Sequence, residues 1–342
     1  TTMYYVNDAA DAADEYTAAA GDNANTGTRP SDPMATLGAL LNAYALRPGD
    51  RVFVDHGSYT ALVIVALGPQ HSGAGIVGPA VGTATIQRGN ATTGQYVLEV
   101  QGADNVAVSG LELTGGERGV SVSADADGAT FDDVRVFANA TGLFADLTGS
   151  IAVRDSIAEN NTATGVHLAA AGTIAAENNV AANNATGFFF NARSATAPGV
   201  IVGNVARNNT TGMQITSYTV IGSGEADDNS TGVYLDAAAL GAATGITIRN
   251  NATGARISAG TLSNSRLFDN ATAVVVDGTT LSDITGNRIY GNVTGIRHTA
   301  TTGSHRIRHN ELWDHTTEAI RVDGAQRTGG VAQIHNNTFH EP

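Results

Sequence analysis

The chain has 342 residues, 32 of them acidic and 18 basic, for a net charge of -14, and every basic residue is Arg. That acidic surplus removes the electrostatic basis for binding nucleic acid or anionic membrane surfaces. With no cysteine there is no disulfide framework and no thiolate site, and no apolar run is long enough for a membrane-spanning helix.

Met3 to Asn7 reads as a strand, and Asp8 to Thr28 as an irregular, acidic, Ala- and Gly-rich stretch. Asp8, Asp11, Asp14, Glu15 and Asp22 supply oxygen ligands suited to Ca²⁺, at spacings that match no EF-hand loop; a solvated acidic loop is the competing reading. Asp32-Pro33 then offers an N-cap with proline at the first helical position. Leu37, Leu40, Leu41, Tyr44 and Leu46 follow at helical spacing, up to a stop at Arg47-Pro48-Gly49-Asp50. A lone amphipathic helix ahead of a repeat region is expected to cap its end. One elongated domain follows from this: strand, acidic loop and capping helix over 1–50, and stacked coils over 51–342.

The coils are organised by a recurring phrase, Asn-x-Thr-Gly. It starts at Asn139, Asn184, Asn209, Asn229, Asn251 and Asn292, with Asn270 to Ala273 as a variant and Asn161 to Gly165 as a loosened copy. From Gly142 the glycine position advances by 23, 22, 25, 20, 22, 19 and 22 residues. Such a period signals a solenoid, and the alternating segment after each glycine, such as Val233-Tyr234-Leu235-Asp236, signals a strand with one buried face. A unit this short cannot close a core alone, so the predicted fold is an all-β right-handed parallel β-helix of about 22 residues per coil. Glycine is expected to make the corner turn. Asn139, Asn184, Asn209, Asn229, Asn251, Asn270 and Asn292 are expected to hydrogen-bond from coil to coil as a ladder, although the same letters spell a glycosylation acceptor.

The position two after each glycine faces outward, and along the stack it reads Phe144, His167, Phe189, Gln214, Tyr234, Arg256, Val275, Arg297 and Arg321. Coils ~4.8 Å apart would space Phe144, Phe189 and Tyr234 like the repeat of an extended polysaccharide. Arg256, Arg297 and Arg321 could then fork onto uronate carboxylates. Strand-face aromatics and Arg–Asp pairs kept for stability are the alternative. His167, Tyr234, Asp236 and Arg256 are the acid–base candidates, with Asp236 and Arg256 placed to meet across adjacent coils. His298, His305, His309, His315, His335 and His340 crowd the last coils, His305 and His309 on one strand face; transition-metal ligation competes there with ordinary polar positions.

The coils at Asn287–Ile296 and Asn310–His315 resemble the parallel β-helix repeat of the pectate-lyase-like class. The opening Tyr4-Tyr5-Val6-Asn7, with Gly21–Thr28 and Pro48–Val54, resembles the first segment of bacterial extracellular β-helix modules. The resemblance implies an extracellular or cell-surface setting and two possible roles. One is a structural or adhesive module that binds polysaccharide or stacks end to end with like modules at an open C-terminal end. The other is a lyase or C5-epimerase of uronate polymers. The chain lacks the lysine base of some β-helix lyases and the Asp-Pro-His-Glu motif of mannuronan epimerases, which favours the module. Trp313-Asp314-His315 resembles a pectate-lyase calcium segment but falls where a coil turns.

Overall fold

A computed structural model describes residues 1–10, 13–197, 199–236, 241–323 and 331–340, which leaves Asp11 of the acidic loop outside the described residues. The chain forms two compact units, 1–175 and 176–342, and each is a right-handed parallel β-helix. Strands from successive coils pair in parallel and in register, building three faces per unit. In the first unit one coil supplies Ile151–Arg154 to the first face, Ile157–Glu159 to the second and Thr164–Ala170 to the third. In the second unit Thr211, Thr231, Thr253, Thr272 and Thr294 follow one another along the third face.

Alternation fills the interior. Val233 and Leu235, Ala255 and Ile257, and Val274 and Val276 are wholly buried on successive third-face strands, while the residues between them face out. Each buried Val, Leu or Ile is worth roughly 1.5–3 kcal/mol relative to exposure. Repeated coil by coil, this lets a thin coil stand without a large core.

The first coil begins earlier than the sequence suggests. Met3–Val6 pairs in parallel with Arg51–Val54, so the opening strand is the first rung of the first face, and the stack starts ahead of the helix. The loop between them is pinned by Asp55, which is buried and accepts the backbone N–H groups of Glu15, Tyr16 and Thr17 at 2.7–2.8 Å. Burial alone would raise the Asp55 pKa, but the N–H donors of Glu15, His56 and Tyr16 outweigh it and hold the carboxyl below its ordinary value.

The helix is shorter than its apolar spacing predicts. It spans Leu37–Ala43 with Thr36 as N-cap, Thr36 Oγ1 accepting from the Ala39 N–H at 3.2 Å. Asp32 is not the cap: its carboxylate accepts from Thr26 N–H and Oγ1, closing the 26–32 loop. Met34 is held extended by a parallel bridge to Val6, so helical backbone cannot begin until that bridge is passed. At the other end Tyr44 is the C-cap, and buried His71 receives the helix carbonyls. His71 Nδ1 accepts the Gly68 N–H, which leaves Nε2–H to donate to the oxygens of Leu41 and Tyr44 at 3.0 and 3.1 Å.

The corner is also built differently from expectation. The turn falls one residue before each ladder Asn, where Asn183, Asn208, Asp228, Asn250 and Asp269 adopt left-handed backbone with φ between 54° and 56°. Asn and Asp enter that region more readily than other side chains because their short polar groups bond locally. The phrase's glycines lie inside third-face strands at ordinary φ. Their cause is space: a Cβ on Gly212 would sit 2.5 Å from the Gly232 carbonyl oxygen, and one on Gly232 2.6 Å from that of Gly254.

Candidate functional site

The ladder at the second corner is internal to the coils. In the second unit Asn184, Asn209, Asn229, Asn251, Asn270 and Asn292 are all buried. Asn229 shows the pattern. Its backbone N–H and its Nδ2 both donate to Asn251 Oδ1, at 2.8 and 3.1 Å, and Nδ2 also reaches the oxygens of Ala206 and Asp227. Its own Oδ1 accepts the matching pair from Asn209. In the first unit Asn139 donates likewise to Asn161. An amide used in this way has no exposed nitrogen for a sugar, so the Asn-x-Thr phrases are structural in cause.

After Asn292 the position is taken by His315, with Asp314 in the left-handed turn at φ 54°. The Trp313-Asp314-His315 segment is thus a corner. Burial lowers the His315 pKa below its ordinary value, favouring neutral imidazole, against backbone oxygens of Asn292 and Ile289 that favour the cation.

On the third face of the first unit Glu99, Ser121, Phe144 and His167 stand in register. The ring of Phe144 lies between two neighbours. The Arg118 guanidinium is 3.7 Å from its centroid, and the His167 ring stacks at 4.6 Å and 27°. Arg118 also donates to Ser121 Oγ at 3.0 Å. Burial raises the Glu99 pKa while the Arg118 charge lowers it, and burial prevails. Neither Glu99 nor Arg118 stands out in the repeat pattern, because both precede its regular copies.

In the second unit Phe189, Gln214, Tyr234, Arg256, Val275, Arg297 and Arg321 stand in register as expected. Their chemistry is different from that expected. Arg256 pairs with Asp277 at 2.7 Å, with its guanidinium carbon 5.0 Å from the Tyr234 ring centroid, so its hydrogen-bonded carboxylate is Asp277 and not Asp236; Asp236 adds only a weaker Coulombic pull. Arg297 and Arg321 share Asp323 at 2.9 and 2.7 Å. Parallel coils turn outward rings and guanidinium planes toward the coils above and below. The rings of Phe144 and Tyr234 thus meet guanidinium or imidazole neighbours within the stack, where the disaccharide-spaced groove needed their faces turned outward. His167 lies in the first unit and Tyr234, Asp236 and Arg256 in the second.

In the acidic loop the described carboxylates serve as hydrogen-bond acceptors within the fold. Asp8 accepts from the N–H groups of Ala10 and Ser58, Asp14 from Asn7 Nδ2, and Asp22 from the Ala24 N–H. The histidines come together in pairs, His298 with His305 at 5.0 Å and His309 with His335 at 6.2 Å, but His305 is buried while His309 sits exposed in a left-handed turn, so those two share no face. Among the described residues no group of three His, Cys, Asp or Glu is placed to hold a metal ion.

A row on the second face of the second unit escapes a search keyed to the glycine. Phe268, Tyr290 and Trp313 stack with centroids 5.2 and 4.5 Å apart and planes within 10°. Beside them Arg266, Arg288 and Glu311 stand in register. The signal was present: each aromatic lies two residues before Asn270, Asn292 or His315.

Together the internal Asn ladder and the three parallel faces define the class, a right-handed parallel β-helix whose outward rows are tied coil to coil. Residues 49–252 and 199–341 match the family described as periplasmic copper-binding protein (NosD), and the chain belongs to that family. No curated protein matches the chain. Among solved structures it is similar to the A-modules of the Azotobacter vinelandii mannuronan C-5 epimerases AlgE6 and AlgE4. The first is 19% identical with TM-score 0.70, covering 90% of this chain and 94% of that one. The second is 20% identical with TM-score 0.66, covering 99% and 100%. Pectate lyase Pel9A, at 18% identity and TM-score 0.52, covers 98% and 80%. These identities establish the fold. No helix among the described residues is long and apolar enough to cross a membrane.

The family description implies copper, whose ligands are imidazole, thiolate and thioether. The chain has no Cys, Met34 and Met213 are buried in the core, and His71 spends both ring nitrogens on backbone. His298 and His305 are buried edge to face at 5.0 Å, and His305 Nε2 engages the Thr302 oxygen. The exposed His309 and His335 face each other at 6.2 Å with no third His, Cys, Asp or Glu among the described residues beside them, so the described residues assemble no three-ligand copper site from these groups.

Proposed function

We propose that the chain is a non-catalytic extracellular or cell-surface module that provides length and a repetitive, polysaccharide-binding surface. The pairing on the third face carries the non-catalytic part of this role. Arg256 is paired with Asp277 one coil on, and Arg297 and Arg321 converge on Asp323, an arrangement that ties coils together rather than awaits a reacting group. In this role like modules associate end to end, which sedimentation against concentration would reveal as a growing species. The direct test is incubation with alginate, pectate and neutral glycans, with and without Ca²⁺, following unsaturated-product absorbance and epimerisation by NMR. No product is expected.

One observation favours a second reading, a uronate lyase or epimerase. Half-buried Glu99, held toward its neutral form, lies on the same face as Arg118, Phe144 and His167, and a carboxyl of raised pKa near a cation suits acid–base chemistry. Product formation abolished by Glu99→Gln and by His167→Ala would replace the non-catalytic role with this one.

A further inference from the structure

The second face of the second unit carries a row in which one arginine, Arg266, lacks an ion-pair partner among the described residues. On that unit's second face Arg249 reaches both Glu225 and Asp227 at 2.7 and 2.9 Å, and on its first face Arg308 reaches Asp283 at 2.6 Å. Arg266 and Arg288 are direct register neighbours, both exposed, and like charges directly opposite one another are unfavourable; the similar pair Arg297 and Arg321 on the third face is bridged by Asp323, which has no counterpart beside Arg266 among the described residues. Glu311 engages Arg288 at 3.3 Å, with both side chains about half exposed. Arg266 has no carboxylate within salt-bridge distance among the described residues. Its Nη2 donates to Tyr290 Oη at 2.9 Å, and its guanidinium carbon lies 5.6 Å from the Phe268 centroid.

The arginines also border apolar surface. The edges of Phe268, Tyr290 and Trp313 form a continuous stripe beside them, and Arg288, Glu311, Trp313 and His340 line a shallow cavity of about 260 Å³. Tyr290 holds the Arg266 side chain in place before any ligand arrives, which lowers the entropy cost of binding.

We infer that this row is a binding site for an acidic polysaccharide, with Arg266 and Arg288 forking onto the carboxylates of successive sugar units and the stripe of Tyr290 and Trp313 edges covering their apolar C–H surface. The register supplies the fit, because coils repeat at ~4.8 Å, comparable with the advance of one sugar unit in an extended polymer. Along the register row two cations stand against one carboxylate, on a chain of net charge -14. At physiological ionic strength the Debye length is ~8 Å, so charges two coils away, such as Glu225, are largely screened from Arg266. The site lies on a different face from the residues of the proposed function, and binding there is independent of whether the module turns over polysaccharide.

The test is affinity electrophoresis of the whole chain through gels holding polygalacturonate, alginate or neutral dextran, repeated at rising salt. Retardation by the two acidic polymers, weakened by salt, is expected. Arg266→Gln with Arg288→Gln should weaken it about tenfold or more, and Trp313→Ala should weaken it by a smaller factor. Arg306→Gln, an exposed arginine on the first face, should leave it unchanged. Thermal melts establish that each variant folds. If the acidic polymers fail to retard the parent, if dextran retards it equally, or if the folded double arginine variant binds as the parent does, the site is refuted.

Discussion

The two inner corners of each coil do the same work with different residues. At the second corner the inward position is almost uniformly Asn, and each Asn serves the backbone N–H of the Asn one coil earlier. At the first corner the corresponding positions hold Val134 and Ser156 in the first unit, and Asn179, Asn204, Gly224, Ile246, Ser265, Asn287 and Asn310 in the second. The bonding nevertheless persists. Ser156 Oγ accepts the Val134 N–H at 3.1 Å, Ser265 Oγ accepts that of Ile246 at 3.2 Å, and Asn287 Oδ1 accepts that of Ser265 at 3.0 Å. A corner thus has a left-handed residue just before it, and an acceptor reaching back to the preceding coil where the position holds Ser or Asn, whereas Val134, Gly224 and Ile246 offer none. Asn is the residue that also donates twice and so links the rungs into a chain.

That difference can be broken first at its strongest point. Asn229→Ala leaves the buried Asn209 N–H without its acceptor and removes one partner each from Asn209 Nδ2 and the Ala206 and Asp227 oxygens, and at 1–3 kcal/mol per unsatisfied group the expected loss is about 2–3 kcal/mol by denaturant unfolding. A loss below 1 kcal/mol would mean that the ladder merely decorates the core. Gly232→Ala places a Cβ against the Gly254 oxygen and is expected to cost roughly 1–3 kcal/mol through overpacking, seen as a lower Tm. Ser156→Ala, at the first corner, removes one acceptor and a single outgoing bond to the Arg154 oxygen, and about 1 kcal/mol should be lost. If Ser156→Ala matched Asn229→Ala, the two corners would be energetically alike.

The smallest effect sharpens the comparison at the ladder's irregular rung. The folded His315 has a lowered pKa, so the unfolded chain, titrating near 6.5, binds the proton more readily. Its contribution to stability is therefore complete above about pH 6.5 and drains away as the pH falls below that value. His315→Asn should remove this part of the pH dependence and add about 1 kcal/mol by restoring an amide acceptor. Melting temperatures of parent and variant at pH 8 and pH 5 would test both points, and parallel shifts in the two proteins would count against a buried neutral imidazole.

What the sequence determined by itself is the solenoid: a period near 22 residues, alternation on the strands, and an Asn held at one point of each coil. Those are local requirements repeated in every copy, so repetition makes them visible. The tertiary structure decided what each letter is for. The glycine proved to be a close contact between coils, because only stacking brings the Gly254 oxygen to Gly232, while the turn fell to the residue before the Asn. The helix start waited on Met34, whose bridge to Val6 spans 28 positions of sequence. On the outer faces the sequence placed Phe144, Tyr234 and Arg256 correctly in their rows. Partner choice was hidden, since Arg256 takes Asp277 and Phe144 takes Arg118 from neighbouring coils. A repeat pattern records which way a side chain faces; which neighbour it meets depends on the coil above and below.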